Sequence, residues 1–281
     1  MDSFTAILYG IVQGLAEFLP VSSSAHLALL PKFLKFEDPG VYFDLMMHLG
    51  TTLALLFYFW KKIFVMFKFG LEIIPIFQKN REKTSTDLNF FRNFFCSTFF
   101  SIIFILVIKQ VALSYGRDTH FMAINLLVFG ILLYLSDWWA NKQKTTISFY
   151  DKFRFKESVL VGLAQSLAIF PGVSRSGFTI TVSRFFKIPK TESAEYTFFL
   201  SIPIILLASI SKLAETLTLF MIEPTNLPFA NMIPSLIIGL ITSFIVGIFT
   251  IHYFLKLIKK IDFQYFAIYR LIIAIIIFYV F

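Results

Sequence analysis

Six stretches of this sequence, 41–60, 94–113, 121–139, 196–220, 232–257 and 264–281, run on with scarcely a charge. A helix needs about 20 mostly apolar residues to cross the hydrocarbon core of a bilayer, so each stretch predicts a transmembrane helix. Composition agrees: 57% of residues are hydrophobic, 15% are charged and 38 are Phe. A soluble globule could not hide so much apolar surface behind so few charges, and a disordered chain would not carry it. The single cysteine, Cys96, excludes an internal disulfide framework and a cysteine-based zinc site.

Two further apolar stretches, 4–30 and 158–185, are interrupted. The first contains Gln13, Glu17, Pro20, Ser22, Ser23, Ser24 and His26; the second contains Gln165, Pro171, Gly172, Ser174, Arg175, Ser176 and Thr179. Each reads as helix, break, helix. Broken backbone at membrane depth is tolerated only inside protein or beside a water-filled cavity, so both are expected to be re-entrant hairpins. Residues 4–19 lack the basic start of a signal peptide and carry Glu17, so the stretch is expected to stay in the protein. The segment 63–78, interrupted by Lys68, Glu72 and Pro75, is expected to lie at the membrane surface.

If the hairpins do not cross, the connections 61–93, 140–157, 184–195 and 256–263 share one side and carry 18 Lys and Arg; 31–40, 114–120 and 221–231 share the other and carry three, Lys32, Lys35 and Arg117. The positive-inside rule puts the basic side in the cytoplasm. The net charge of +8 is therefore a topology signal, and no nucleic-acid partner is expected.

The broken stretches also match each other. Residues 10–26 (GIVQGLAEFLPVSSSAH) and 162–178 (GLAQSLAIFPGVSRSGF) are identical at eight of 17 positions at an offset of 152. An odd number of spans between two copies inverts the second, and sites in inverted repeats sit where the breaks meet. The expectation is one all-α polytopic membrane domain over 1–281. It is an inverted-topology repeat (about 1–140 and 155–281), each half one re-entrant helical hairpin plus three transmembrane helices.

The polar residues at the breaks suggest chemistry. Gln13 and Glu17 are four apart and share a helix face; Gly10 and Gly14 suit close helix packing. Ser22 and Ser174 are placed to cap the helices that follow. Ser23 and His26 are three apart, within reach as a hydroxyl–imidazole pair. Arg175, with Ser174, Ser176, Thr179 and a helix N-terminus, forms an anion site best suited to phosphate. Glu17 either takes part in chemistry or pairs structurally with Arg175. His48 is expected to make a core polar contact, and Lys109, Asp137 and Arg270, near span ends, to snorkel toward the interface.

Residues 13–26 (QGLAEFLPVSSSAH) and 171–179 (PGVSRSGFT), with the ending FAIYRLIIA (266–274), resemble the signatures of the bacterial undecaprenyl-diphosphatase, or bacitracin-resistance, family. The resemblance implies a membrane hydrolase of the bacterial cytoplasmic membrane. Such an enzyme would remove the terminal phosphate of undecaprenyl diphosphate, giving the lipid carrier for peptidoglycan synthesis and resistance to bacitracin. The resemblance implies catalytic roles for Glu17, Ser23, His26 and Arg175, and substrate binding by Gln13, Ser174, Arg175, Ser176 and Thr179; Ser22, beside them at the first break, is expected to join the substrate-binding set. It also implies a divalent cation, Mg²⁺ or Ca²⁺, held by Glu17 with Gln13 as second candidate. Ser23 attacking with His26 as base, or water activated at Glu17 or His26, both fit. The active face is expected on the extracytoplasmic side, and a homodimer is left open. The rival class is a lipid-phosphate flippase or secondary transporter of the same architecture.

Overall fold

The computed structural model describes residues 2–72, 85–116, 118–222 and 232–281. These form helices and connections, with no strand among the described residues. In chain order the helices are α1 (Ser3–Ala16), α2 (Ser23–Leu34), α3 (Gly40–Tyr58), α4 (Trp60–Glu72), α5 (Ser85–Tyr115), α6 (Thr119–Asn141), α7 (Phe155–Leu167), α8 (Arg175–Phe185), α9 (Lys190–Ile222), α10 (Ile233–Leu257) and α11 (Gln264–Val280). Five of them, α3, α5, α6, α9 and α10, contain stretches long and apolar enough to cross a membrane. The sixth expected span, α11, is an apolar helix of 17 residues, at the short end of what a bilayer needs. Of the segment 63–78, residues up to Glu72 belong to α4; the remainder lies outside the described residues, as do Lys79, Arg81, Lys83, Arg117 and the connection 223–231.

Both interrupted stretches are helix, break, helix. The limbs α1, α2, α7 and α8 have 14, 12, 13 and 11 residues. At about 1.5 Å per residue none reaches across a hydrocarbon core of about 30 Å. In each pair the two limbs pack on one another. The breaks are local in origin: Pro20 has no N–H to continue α1, and Pro171-Gly172 does the same after α7. The four non-glycine residues with positive φ among the described residues are Ser22 (75°), Lys35 (57°), Ser174 (70°) and Lys187 (64°). They are two pairs at the 152-residue offset, one at the start and one at the end of each second limb.

Glycine lets the first limbs come close to long helices. A Cβ on Gly10 would lie 2.7 Å from the Gly239 carbonyl oxygen of α10, and one on Gly162 would fall on the Ser97 carbonyl oxygen of α5. Gly14 likewise sits against Val246, so the Gly10/Gly14 face is the α1–α10 contact. Around these seams three apolar clusters form. The largest stacks Phe18 edge-on to Phe198 (5.2 Å) and includes Phe59, Phe90, Phe199 and Phe254. A second joins α2 to α6 and α11 through Ala25, Leu29, Met122, Leu126 and Ala274. The third joins α1, α2, α3 and α10 through Tyr9, Leu27, Phe43 and Leu236. Outside, Leu106, Val107, Ile237 and Ile272 are exposed, while Asn93, Ser97, Gln165 and Asp137 are buried. Apolar outside and polar inside is the polarity that a lipid solvent imposes.

Asp137 corrects an expectation. It does not snorkel: it is buried, accepts from Arg184 Nε at 2.9 Å and takes the Phe263 backbone N–H at 2.9 Å. An anion cannot be left bare at that depth, and the end of α8 and the start of α11 supply its partners. Lys109 is exposed.

Candidate active site

The two breaks meet. Ser176 Oγ, in the first turn of α8, donates to the Leu19 carbonyl in the first break at 3.0 Å. The guanidinium of Arg175 forms an ion pair with Glu17, the residue that ends α1. Glu17 is the hub. Gln13, one turn earlier on α1, donates from Nε2 to Glu17 Oε2 at 2.9 Å and lies 3.4 Å from Thr51 Oγ1. Ser23, the first residue of α2, donates its hydroxyl to the same Oε2 at 2.6 Å. His48 Nε2 stands 3.4 Å from that oxygen.

The expected Ser23–His26 pair is not formed. Ser23 turns back across the break to Glu17, and His26 is held elsewhere. Its Nδ1 is 2.7 Å from the Ser22 carbonyl and its Nε2 is 2.7 Å from Tyr269 Oη. A carbonyl only accepts, so Nδ1 carries the hydrogen; in the neutral ring Nε2 then accepts from the Tyr269 hydroxyl. Spacing of three puts two residues on one helix face, but the first residue of a helix looks outward along the axis as well as sideways. That freedom lets Ser23 choose the carboxylate.

The caps also divide. Ser174 Oγ accepts from the Gly177 N–H at 3.1 Å and lies 3.3 Å from Ser176 Oγ. Ser22 occupies the matching position, but its hydroxyl does not cap; it lies 3.2 Å from Ser24 Oγ. Thr179 Oγ1 is buried with no hydrogen-bond partner among the described residues.

Sequence reasoning missed two side chains. His48 is not merely a core contact: with Nδ1 on the Asp44 carbonyl (2.7 Å) it presents Nε2 to Glu17. Arg270 was expected to snorkel and is instead 0% exposed. It donates to the Pro20 carbonyl in the first break (3.4 Å) and to the Gly172 and Val173 carbonyls in the second (both 3.0 Å). It also reaches the Asn125 and Leu126 carbonyls of α6. The planar fork of a guanidinium suits such a junction of bare carbonyls. A cation costs too much in an apolar interior to be placed there without partners. The signal that could have found Arg270 was its place within FAIYRLIIA, inside α11 rather than at its end.

The electrostatic balance follows. Arg175 pairs with the carboxylate of Glu17, while Arg270 lies on the backbone carbonyls of both breaks, beside the N-termini of α2 and α8. Arg270 is balanced by carbonyl dipoles and forms no ion pair among the described residues. The surplus is positive, and helix N-termini add to it, so an anion such as a phosphate is favoured. No group of three or more His, Cys, Asp or Glu able to cage a metal occurs among the described residues. The oxygens that could hold a cation here are sparse: the Glu17 carboxylate and, beside it, the buried Gln13 Oε1, which has no hydrogen-bond partner among the described residues.

Fold and site together define a polytopic all-α membrane protein whose polar centre lies where two broken helices touch. The family model described as Bacitracin resistance protein BacA matches residues 6–276, and the chain belongs to that family. Among curated relatives, the undecaprenyl-diphosphatase of Marinobacter nauticus is 38% identical over 274 residues, covering 98% of this chain and 97% of its own. That of Moorella thermoacetica is 33% identical over 281 residues, covering 100% and 98%. That of Caldicellulosiruptor bescii is 36% identical over 277 residues, covering 99% and 97%.

Proposed function

We propose that this chain is an undecaprenyl-diphosphatase, a membrane hydrolase that releases the terminal phosphate of undecaprenyl diphosphate and leaves undecaprenyl phosphate. The product serves as lipid carrier for cell-wall synthesis, and consumption of the diphosphate underlies bacitracin resistance. The relatives bear that name at near full length. The observation that carries the reading is the hydroxyl of Ser23 donating at 2.6 Å to a carboxylate that is itself paired with Arg175. A flippase or transporter needs the anion site but has no use for a hydroxyl resting on a base.

In this reading the diphosphate competes with Glu17 for Arg175, which turns onto phosphate oxygens together with Ser174, Ser176, Thr179 and the N-terminus of α8. Glu17 Oε2 accepts the Ser23 proton as Ser23 Oγ bonds to the terminal phosphorus. The bridging P–O bond breaks and undecaprenyl phosphate leaves. Water then cleaves the Ser23 phosphoester, releasing inorganic phosphate and restoring the hydroxyl. His26, held by Ser22 and Tyr269, is placed to serve the water step rather than the first attack. Glu17 and Gln13 would hold a divalent cation, Mg²⁺ or Ca²⁺, which when bound supplies charge neutralisation.

The inverted repeat is supported by the way the helices pair. Exchanging α1, α2, α3, α5 and α6 for α7, α8, α9, α10 and α11 turns the α1–α10 packing into α7–α5, and α10–α3 into α5–α9. It leaves α3–α9 and α6–α11 unchanged. The left-handed pairs Ser22/Ser174 and Lys35/Lys187 obey the same exchange. With α11 counted as the sixth span, the basic connections lie in the cytoplasm and the first hairpin opens to the extracytoplasmic side of the inner membrane. Purified protein given a long prenyl diphosphate should release phosphate, and EDTA should suppress it. No phosphate under any metal condition overturns the reading.

A further inference from the structure

Away from the breaks, α3 and α10 end side by side at a cleft of about 710 Å³ completed by the start of α9. Four lysines line it, Lys61 and Lys62 just past α3 and Lys256 and Lys259 at the end of α10. The one carboxylate in the lining, Glu195, is paired with Lys62 at 2.6 Å. Among the described residues Lys61, Lys256 and Lys259 form no ion pair. The floor is polar and fixed: Tyr58 Oη and His252 Nδ1 are 3.2 Å apart across the α3–α10 seam. Apolar side chains run along α10 up to and beside these lining residues. Ile245, Phe249, Tyr253 and Leu257 recur every four residues along α10 and are 47%, 57%, 63% and 42% exposed. Such spacing puts them on one face.

A solvated basic loop would explain lysines, but not a concavity that gathers four of them beside an exposed apolar stripe. Head-group depth is where membrane-crossing helices end, and basic pockets between helices there take anionic head groups. We propose that the cleft binds the phosphate head group of an anionic phospholipid, with its acyl chains along the Ile245–Leu257 stripe. A soluble phosphate compound would use the lysines and leave the stripe unexplained.

Trp60 lines the same cleft and reports on it. Replacing the other two tryptophans, Trp138→Phe and Trp139→Phe, leaves Trp60 alone. The full chain in phosphatidylcholine vesicles is titrated with phosphatidylglycerol or phosphatidylcholine carrying brominated acyl chains. Brominated phosphatidylglycerol should quench Trp60 at lower mole fraction and reach saturation. Lys256→Gln with Lys259→Gln should reduce that preference by about fivefold per lysine, whereas Lys142→Gln with Lys144→Gln, on another basic connection, should leave it unchanged. The single Lys259→Gln gives the same direction should the pair fold poorly. Equal quenching by both lipids, equal loss in both lysine pairs, or reversal by excess inorganic phosphate would each overturn the proposal.

Discussion

Arg175 and Glu17 stand 158 residues apart in the chain and form an ion pair across the two helix breaks. Each is buried enough to need the other, and both belong to the proposed chemistry. Breaking a buried pair from one side costs about 3–5 kcal/mol, because the other charge is left uncompensated. Arg175→Gln should therefore lower the melting temperature and abolish phosphate release. Adding Glu17→Gln should recover most of the melting temperature without recovering activity. A double variant as unstable as the single would show that the pair is not what the loss of stability reports.

Glu17 accepts the hydrogen bond of the Ser23 hydroxyl at 2.6 Å and, in the proposed mechanism, its proton. Glu17→Gln should reduce the turnover rate by about 10²–10⁴-fold, the range for loss of a positioned general base. Ser23→Ala should remove any covalent phosphoenzyme trapped by rapid acid quench of labelled substrate. Retained turnover in Ser23→Ala would assign the attack to water.

Arg270 joins the backbone of both breaks. Arg270→Gln leaves carbonyls of Gly172 and Val173 without their donor at about 1–3 kcal/mol each. A large fall in thermal stability in detergent is expected, with loss of activity following. An unchanged melting temperature would mean the breaks hold themselves.

The approach of α7 to α5 depends on Gly162, whose added Cβ would strike the Ser97 carbonyl; at Gly130 the nearest atom would be 3.3 Å away. Gly162→Ala should cost about 1–3 kcal/mol, the usual range for overpacking, and Gly130→Ala less. Thermal unfolding of the two variants side by side tests the order.

A pH effect is expected at the α10–α11 connection. The hydrogen bond from the Lys190 ammonium, helped by its charge, holds the Asp262 carboxyl below the usual carboxylate range. A lowered folded pKa gives stability that is present above the unfolded value of about 3.9 and is lost as pH falls through the folded one. Below about pH 4 the parent should lose melting temperature faster than Asp262→Asn. The difference should be small, since the half-exposed carboxylate is screened by solvent.

The interrupted stretches were legible because their breaks are written locally, in Pro20 and in Pro171-Gly172, and their kinship in residues such as Gln13 and Gln165. The five long apolar helices were legible for the same reason. Arg270 and His48 were not. Most of their neighbours on α11 and α3 are apolar whether they face lipid or protein, so hydropathy gives little sign of which face turns inward. Asp137 was misplaced likewise, at a helix end that another helix end covers.

The sequence by itself determined the solvent of this protein, its helices, the two breaks and the polar residues gathered at them. All of these depend on hydrophobicity, proline and spacing within about thirty residues. Only the tertiary structure decided the partners: Ser23 with Glu17 rather than His26, His26 with Tyr269, Glu17 with Arg175, and Arg270 with both breaks. Except for the first, which turns on how α2 leaves its break, these contacts join distant elements. They are fixed by where close-packed helices cross, a property of the whole assembly and not of any single segment.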